Sequence, residues 1–336
     1  MPANINERDG QAAVMVVREP AWHNLGKVLD HPATAAEAIS SAKLDWSVIK
    51  QPLFAGSDEL RGVSDYFAVV REDDWKKDKT TVLGIVGKDY TPLQNLEAFQ
   101  FFDPIVGEKE AVYHTAGALG EGERVWILAK LPSDIRVIGD DITHKYLLLS
   151  NSHDGNSAVQ IKFTPIRVVC ENTLTLALRE GPTLRIPHTK DVRERLRMAA
   201  NLLNAIKIRF SEIEGVFGRM AKVRMNEQRL TRYFAGVFPD PNGGGDEERY
   251  ERALLQAQRD RAAAEYRAEM GKGTDLAGVR GTLWAAYNGV TEYIDYERFS
   301  NSTAGRQVNA IWFGEGYSAK ARAYKVAEQE LKAAAI

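Results

Sequence analysis

Hydrophobic residues change their spacing once along this chain, near Thr189, and that change limits the folds open to it. Upstream, short β-branched or alternating runs recur at Val14–Arg18, Val48–Phe54, Tyr66–Arg71, Val82–Val86, Arg124–Leu131, Ile135–Ile138, Lys145–Ser150 and Ala158–Phe163. Turn-forming residues separate them, among them Gly56-Ser57-Asp58, Gly120-Glu121-Gly122 and Asp154-Gly155-Asn156. Alternation at period two, bounded by such residues, predicts strands. Two helices are predicted between them. Thr34–Ala42 opens on Thr34 with Glu37 three residues later, a capping box. Leu93–Phe102 places Leu96, Phe99 and Phe102 on one face. A third short helix is expected after Pro165, where Val169, Leu174, Leu176 and Leu178 run without a turn signal.

Downstream, Val192, Leu196, Ala199, Leu203, Ile206, Phe210, Ile213, Phe217 and Met220 follow alternating steps of four and three. This heptad stripe predicts one long helix with a single apolar seam. Its seam packs on the chain's own sheet or joins a second copy. Asp240–Asp246 holds Pro241 and three consecutive glycines and reads as a flexible connector. Asp246 then caps a polar helix to about Met270, and Leu276 to Ile294 mark another. Helices near Ala304–Phe313 and Ser318–Ala334 complete the chain. Strands first and helices last define an α+β fold with a mostly antiparallel, strand-rich N-terminal part, not a βαβ alternation. The expected organisation is a core domain over 1–240, ending in the long basic helix, and a helical subdomain over 246–336.

The chain has 336 residues, 44% hydrophobic and 27% charged, which is globular composition with enough length for a sizeable core. The lone cysteine, Cys170, has no partner for an internal disulfide, which fits a reducing compartment. Met1 to Gly10 is polar without an apolar signal core, and no apolar run reaches membrane-spanning length. The expected location is the cytoplasm of a bacterial host.

The chain offers no complete catalytic or metal motif. Gly117, Gly120 and Gly122 fall between two predicted strands, as a hairpin turn does, and Gly243–Gly245 follows no strand. None of the six histidines forms an H-x-x-x-H pair. His153-Asp154 is the one suggestive neighbour pair, set in a Ser/Asn/Gly-rich turn. Cys170 would need Arg167 and a helix N-terminus to lower its pKa and make it a thiolate. No cofactor and no metal is implied.

Charge is more informative. Arg185 to Arg232 holds twelve Lys/Arg and five Asp/Glu, a formal +7 within a chain of net −2. A local basic excess on one element is what phosphate-backbone binding requires. The same excess also serves merely to solvate a helix face. The candidate nucleic-acid-binding residues are Lys162, Arg167, Arg193, Arg197, Lys207, Arg209, Lys222 and Arg224. Tyr146, Phe163, Phe210 and Tyr233 are nearby candidates for stacking bases.

Several blocks carry a family resemblance. They are Ala21-Trp22-His23-Asn24-Leu25-Gly26, the run from Gly84 to Asn95 (GIVGKDYTPLQN), Gly122 to Ile127 (GERVWI), and Pro165 to Leu174 (PIRVVCENTL). Together they resemble the phage/plasmid-like protein family, a domain of unknown function on bacterial mobile elements. The resemblance implies handling of DNA, transcriptional control or evasion of host defence. The layout, a β-rich core leading into a basic helix, is also similar to single-strand annealing proteins of the RecT and Red-beta kind, which form oligomers.

Three functions are therefore weighed. The first is a non-enzymatic single-stranded DNA binding and annealing protein of a phage or plasmid, acting in recombination or replication as a homo-oligomer. The second is a divergent nucleic-acid hydrolase using His153, Asp154, Arg167, Cys170 and Asn172. The third is a protein-binding module such as a host-defence inhibitor.

Overall fold

The computed structural model describes residues 6–8, 11–17, 26–77, 81–101, 111–167, 172–173, 183–200, 203–243, 246–302 and 304–334. The fold is α+β: a strand-rich, mostly antiparallel N-terminal half followed by a helical C-terminal part. Two compact units are built from discontinuous stretches, one from 1–132, 146–162 and 183–204, the other from 133–145, 163–182 and 205–336.

The first unit is organised by strands. Lys27–Leu29, Val14–Val17, Val112–Leu119, Arg124–Lys130 and the later part of Asp141–Ser152 lie side by side, with only the Val14–Val17/Lys27–Leu29 pair parallel. Val14–Val17 is buried at every position, and Val125 to Ala129 likewise, because both faces of this sheet are covered. A second, three-stranded sheet holds Val48–Ala55, Arg61–Arg71 and Val82–Gly87 in antiparallel order. The helix Ala35–Ser41 begins as its sequence directs. Thr34 Oγ1 accepts from Glu37 N at 3.2 Å and Thr34 N donates to the Glu37 carboxylate at 2.9 Å.

The expected helix at Leu93–Phe102 is the shorter Asn95–Gln100. Its buried face carries Ala98 and Phe99, whereas Leu96 is exposed; Phe102 lies outside the described residues. The helix expected after Pro165 is corrected in part. The strand Val159–Arg167 runs through Pro165, and a strand, Asn172–Thr173, pairs back onto it, while 168–171 and 174–182 lie outside the described residues. The periodicity from Thr189 yields two described helices, Val192–Ala200 and Leu203–Lys222, with 201–202 between them outside the description.

In the second unit the helix Leu283–Tyr293 is buried at every residue and serves as the core element. It begins later than the sequence suggests, at the Thr282 cap, whose hydroxyl accepts from Ala285 N. Gly289 lets Glu247–Met270 approach closely, since a Cβ there would lie 2.5 Å from the Ala264 carbonyl. Rings of Phe217, Trp284, Tyr287 and Tyr324 pack in sequence, and the Trp284 indole N–H donates to the buried Asp141 carboxylate at 2.8 Å. A helix that the hydrophobic pattern alone does not reveal, Glu227–Val237, is capped by Asn226 and buries Tyr233, Phe234 and Val237. After Tyr293 the chain widens into a π-helical turn, Ile294–Arg298, with Asp295 on Lys320 at 2.8 Å. No helix among the described residues is long and apolar enough to cross a membrane.

Lys320 is 1% exposed, so its removal strands a buried carboxylate. Lys320→Met is expected to cost about 3–5 kcal/mol in urea unfolding, and the Lys320→Met/Asp295→Leu double variant considerably less. Equal losses in both would show that the pair is not coupled.

Candidate functional site

Two of the sequence blocks that carry the family resemblance, 84–95 and 122–127, meet the loop 150–156 in the first unit. The loop 150–156, Ser-Asn-Ser-His-Asp-Gly-Asn, closes on the segment 84–95 and on 122–124. Gly84 is required there, because a Cβ would lie 2.4 Å from Asp154 Cα. Lys50 fastens the end of the strand Val82–Gly87 by donating to the carbonyls of Gly87, Lys88 and Tyr90 at 3.3, 2.8 and 3.0 Å. Desolvation lowers its pKa, opposed by Asp89. Gln94 bonds Val48 through both ends of its amide, accepting from Val48 N and donating to Val48 O, each at 2.9 Å. Tyr90 donates its hydroxyl to the Ser152 carbonyl at 2.9 Å and stacks on His188 at 4.8 Å. Asn151 donates to the Leu93 carbonyl at 2.8 Å, and His153 N to the Glu123 carbonyl at 2.7 Å.

The ring tautomers follow from these partners. Asn95 uses its amide N–H groups on the carbonyls of Leu44 and Trp46, at 3.1 and 3.3 Å. Its oxygen is then the acceptor facing His153 Nε2 at 3.0 Å, so Nε2 carries the proton. His188 Nδ1, 3.3 Å from the Thr91 carbonyl, is likewise a donor. His153 Nδ1 and His188 Nε2 are therefore bare lone pairs, buried without a hydrogen-bond partner among the described residues. Both rings are neutral. Desolvation is the main cause, and it brings the His153 pKa down to about 3, with His188 and Arg71 acting in the same direction. His188 is lowered chiefly by desolvation as well.

This arrangement fixes main chain and keeps its reactive groups from solvent. His153 is wholly buried. The Asp154 carboxylate is engaged by the Ser152 hydroxyl and by Asn156 N at 2.8 Å. Cys170, Trp22 and His23 lie outside the described residues, as do the side chains of Arg167 and Asn172. No group of three or more His, Cys, Asp or Glu among the described residues is placed to hold a metal ion.

The basic candidates are divided between the units. In the first, Lys162 is buried, which removes its ammonium from a solvent-side ligand. Arg193 is exposed but donates to the Glu97 carboxylate, and Arg197 is exposed. In the second, Lys222 and Arg224 are exposed at the end of the helix Leu203–Lys222 and just past it. Arg219, also exposed, joins them, and none of the three has an ion-pair partner among the described residues. The side chains of Lys207 and Arg209 lie outside the described residues. Two of the proposed stacking aromatics are enclosed: Tyr146 is 3% exposed and Tyr233 is fully buried. Phe163 and Phe210 have side chains outside the described residues. Sequence reasoning missed His188, which follows the strand Thr183–Ile186 with no motif around it.

Because the unfolded chain takes up a proton on His153 near its ordinary pKa and the folded one near 3, this residue's contribution is full above about pH 6.5. It falls as the pH drops below that value, by up to about 1.4 kcal/mol per pH unit. The stability advantage of wild type over His153→Gln in urea unfolding is expected to shrink between pH 7 and pH 5. A gap that stays constant would show that the imidazole is not held neutral.

Comparison with curated proteins and with solved structures finds no match. The family comparison matches residues 82–331, three quarters of the chain, which include the segment 84–95, the loop 150–156 and the buried helix Leu283–Tyr293. The chain belongs to the family described as Domain of unknown function (DUF932).

Proposed function

We propose that this chain is a non-enzymatic single-stranded DNA binding and annealing protein of a phage or plasmid, serving recombination or replication. The observation that carries the reading is the exposed set Arg219, Lys222 and Arg224, without acid partners among the described residues. Cations near a helix C-terminus complement its dipole, which accounts for Arg219 and Lys222. The dipole gives no reason for Arg224, which lies beyond the helix. Phosphate binding accounts for all three, through release of condensed counterions. The neutral, enclosed state of His153 weighs against the hydrolase alternative.

A second reading, assembly through a protein interface, has its own support. In the three-stranded sheet, Ile85 pairs with Ala68 and Val82 with Val70, so both share a face with Tyr66. Their exposures, 61%, 49% and 54%, leave three apolar side chains to solvent beside the buried Ala68 and Val70. An oligomer built on this face would raise avidity by joining weak sites.

Fluorescence anisotropy with a labelled single strand, and with a duplex of the same sequence, tests the first reading. Binding is expected to prefer the single strand and to weaken steeply with salt. Lys222→Glu/Arg224→Glu should weaken it more than tenfold, as each added carboxylate repels phosphate, with the fold retained because both side chains are exposed. Absence of binding in about 50 mM salt overturns the reading. For the second, light scattering should show an assembly that Ile85→Asp dissociates; a monomeric wild type overturns it.

A further inference from the structure

Resting on the single-strand-binding reading, we infer that the basic end of the helix Leu203–Lys222 grips the phosphodiester backbone alone, and that Arg280 is part of the grip. Arg280 is distant in sequence from Arg224, but main-chain pairing brings the two segments together. Arg224 forms an isolated antiparallel bridge with Thr282, Met225 N donates to the Gly281 carbonyl at 3.0 Å, and Leu283 N to the Val223 carbonyl at 2.9 Å. The Arg224 guanidinium donates to the Arg280 carbonyl at 2.8 Å. One of its five donors is thereby used to hold it in place, and the others remain for a ligand.

Arg280 is held in turn by Asp275, at 3.1 Å. That pair is weak competition for a phosphate, since the Asp275 side chain is 93% exposed and an exposed pair contributes little. Asp275 is also the sole acid between Gly271 and Gly281, against Lys272 and Arg280. The two guanidiniums are thus gathered by this main-chain pairing, two residues on from the Lys222 end of the helix. Guanidinium forks match the oxygens of a phosphodiester.

What the surroundings lack decides between backbone and base recognition. Stacking bases takes exposed rings beside the cations. Among the described residues, no ring lies against Arg219, Lys222, Arg224 or Arg280. Of the aromatics that the sequence offers in this unit, Tyr233 is buried with its hydroxyl on the Ala323 carbonyl, and the side chains of Phe163 and Phe210 lie outside the described residues. The exposed aromatic among the described residues of this unit is Tyr266, which lies beside Arg267, a cation already engaged by Glu292 and Glu297. The grip made by the described residues is therefore on phosphodiesters, with no ring beside it to stack on a base.

The experiment measures affinity and salt dependence of the full chain for oligothymidylate, oligodeoxyadenylate and an abasic strand of equal length. The abasic strand is expected to bind within about twofold of the others, with the same salt slope. Arg280→Gln should lower the magnitude of that slope by about one with an unchanged melting temperature, and Arg280→Lys should restore the slope. An abasic strand that fails to bind where oligothymidylate binds overturns the backbone-only inference and leaves DNA binding intact. So does an Arg280→Gln protein indistinguishable from wild type overturn the role of Arg280. If none of the strands binds to wild type, the single-strand reading itself has failed, and this inference with it.

Discussion

Asn95 satisfies its whole side chain from a position 1% exposed, and much of the first unit is hung on it. Its two amide hydrogens go to the carbonyls of Leu44 and Trp46, and its oxygen receives His153. A buried amide left half-satisfied costs about 1–3 kcal/mol per orphaned group, so the loop 150–156 is drawn to the one position where the geometry closes. Gln94 next to it does for the strand Val48–Ala55 what a neighbouring strand would do. Around this junction the polar groups are buried, which makes them expensive to misplace and gives the unit a single arrangement.

The second unit meets the same demand with charges. The helix Leu283–Tyr293 has no solvent face, so its polar residues must find partners within the protein. Glu292 accepts from Arg267 and from Lys272 N, and Tyr293 donates to Asp260, which also takes Arg298. Desolvation raises the Glu292 pKa against the pull of those donors. Glu330 gathers Arg229 and Arg232, so two of the cations in the basic stretch are occupied by structure. This internal use of charge is why a count of basic residues overstates the surface available to an anion. In this unit, the cations of the basic stretch that stay exposed without an acid partner among the described residues are Arg219, Lys222 and Arg224.

Local chemistry was legible in the sequence where it was self-contained. The Thr34/Glu37 box, the Asp246 cap and the strands near 48, 82 and 124 needed only residues close in the chain. Of the helix expected after Pro165, the described residues Ile166, Arg167, Asn172 and Thr173 are extended and paired with one another, because pairing across a sheet outweighs a short apolar run with no cap. Leu96 was placed on a buried face by its spacing from Phe99, but spacing does not say which side of a short helix meets the core. Of the candidate site, the turn around His153 was foreseen as a turn. Its burial against Asn95 and its company with His188 were not, since those residues are far apart in sequence and share no motif.

By itself the sequence determined the class of fold and the sign of the charge on the helix Leu203–Lys222, because period and charge are properties of neighbouring residues. It could not determine which cations face water. That depends on whether a carboxylate from a distant segment arrives beside them, as Glu330 does for Arg229 and Arg232 and none among the described residues does for Lys222. Nor could it place Arg280 against Arg224, or enclose Tyr233 and Tyr146. Tertiary packing decided these things, since burial is a sum over contacts between segments and no single segment carries it.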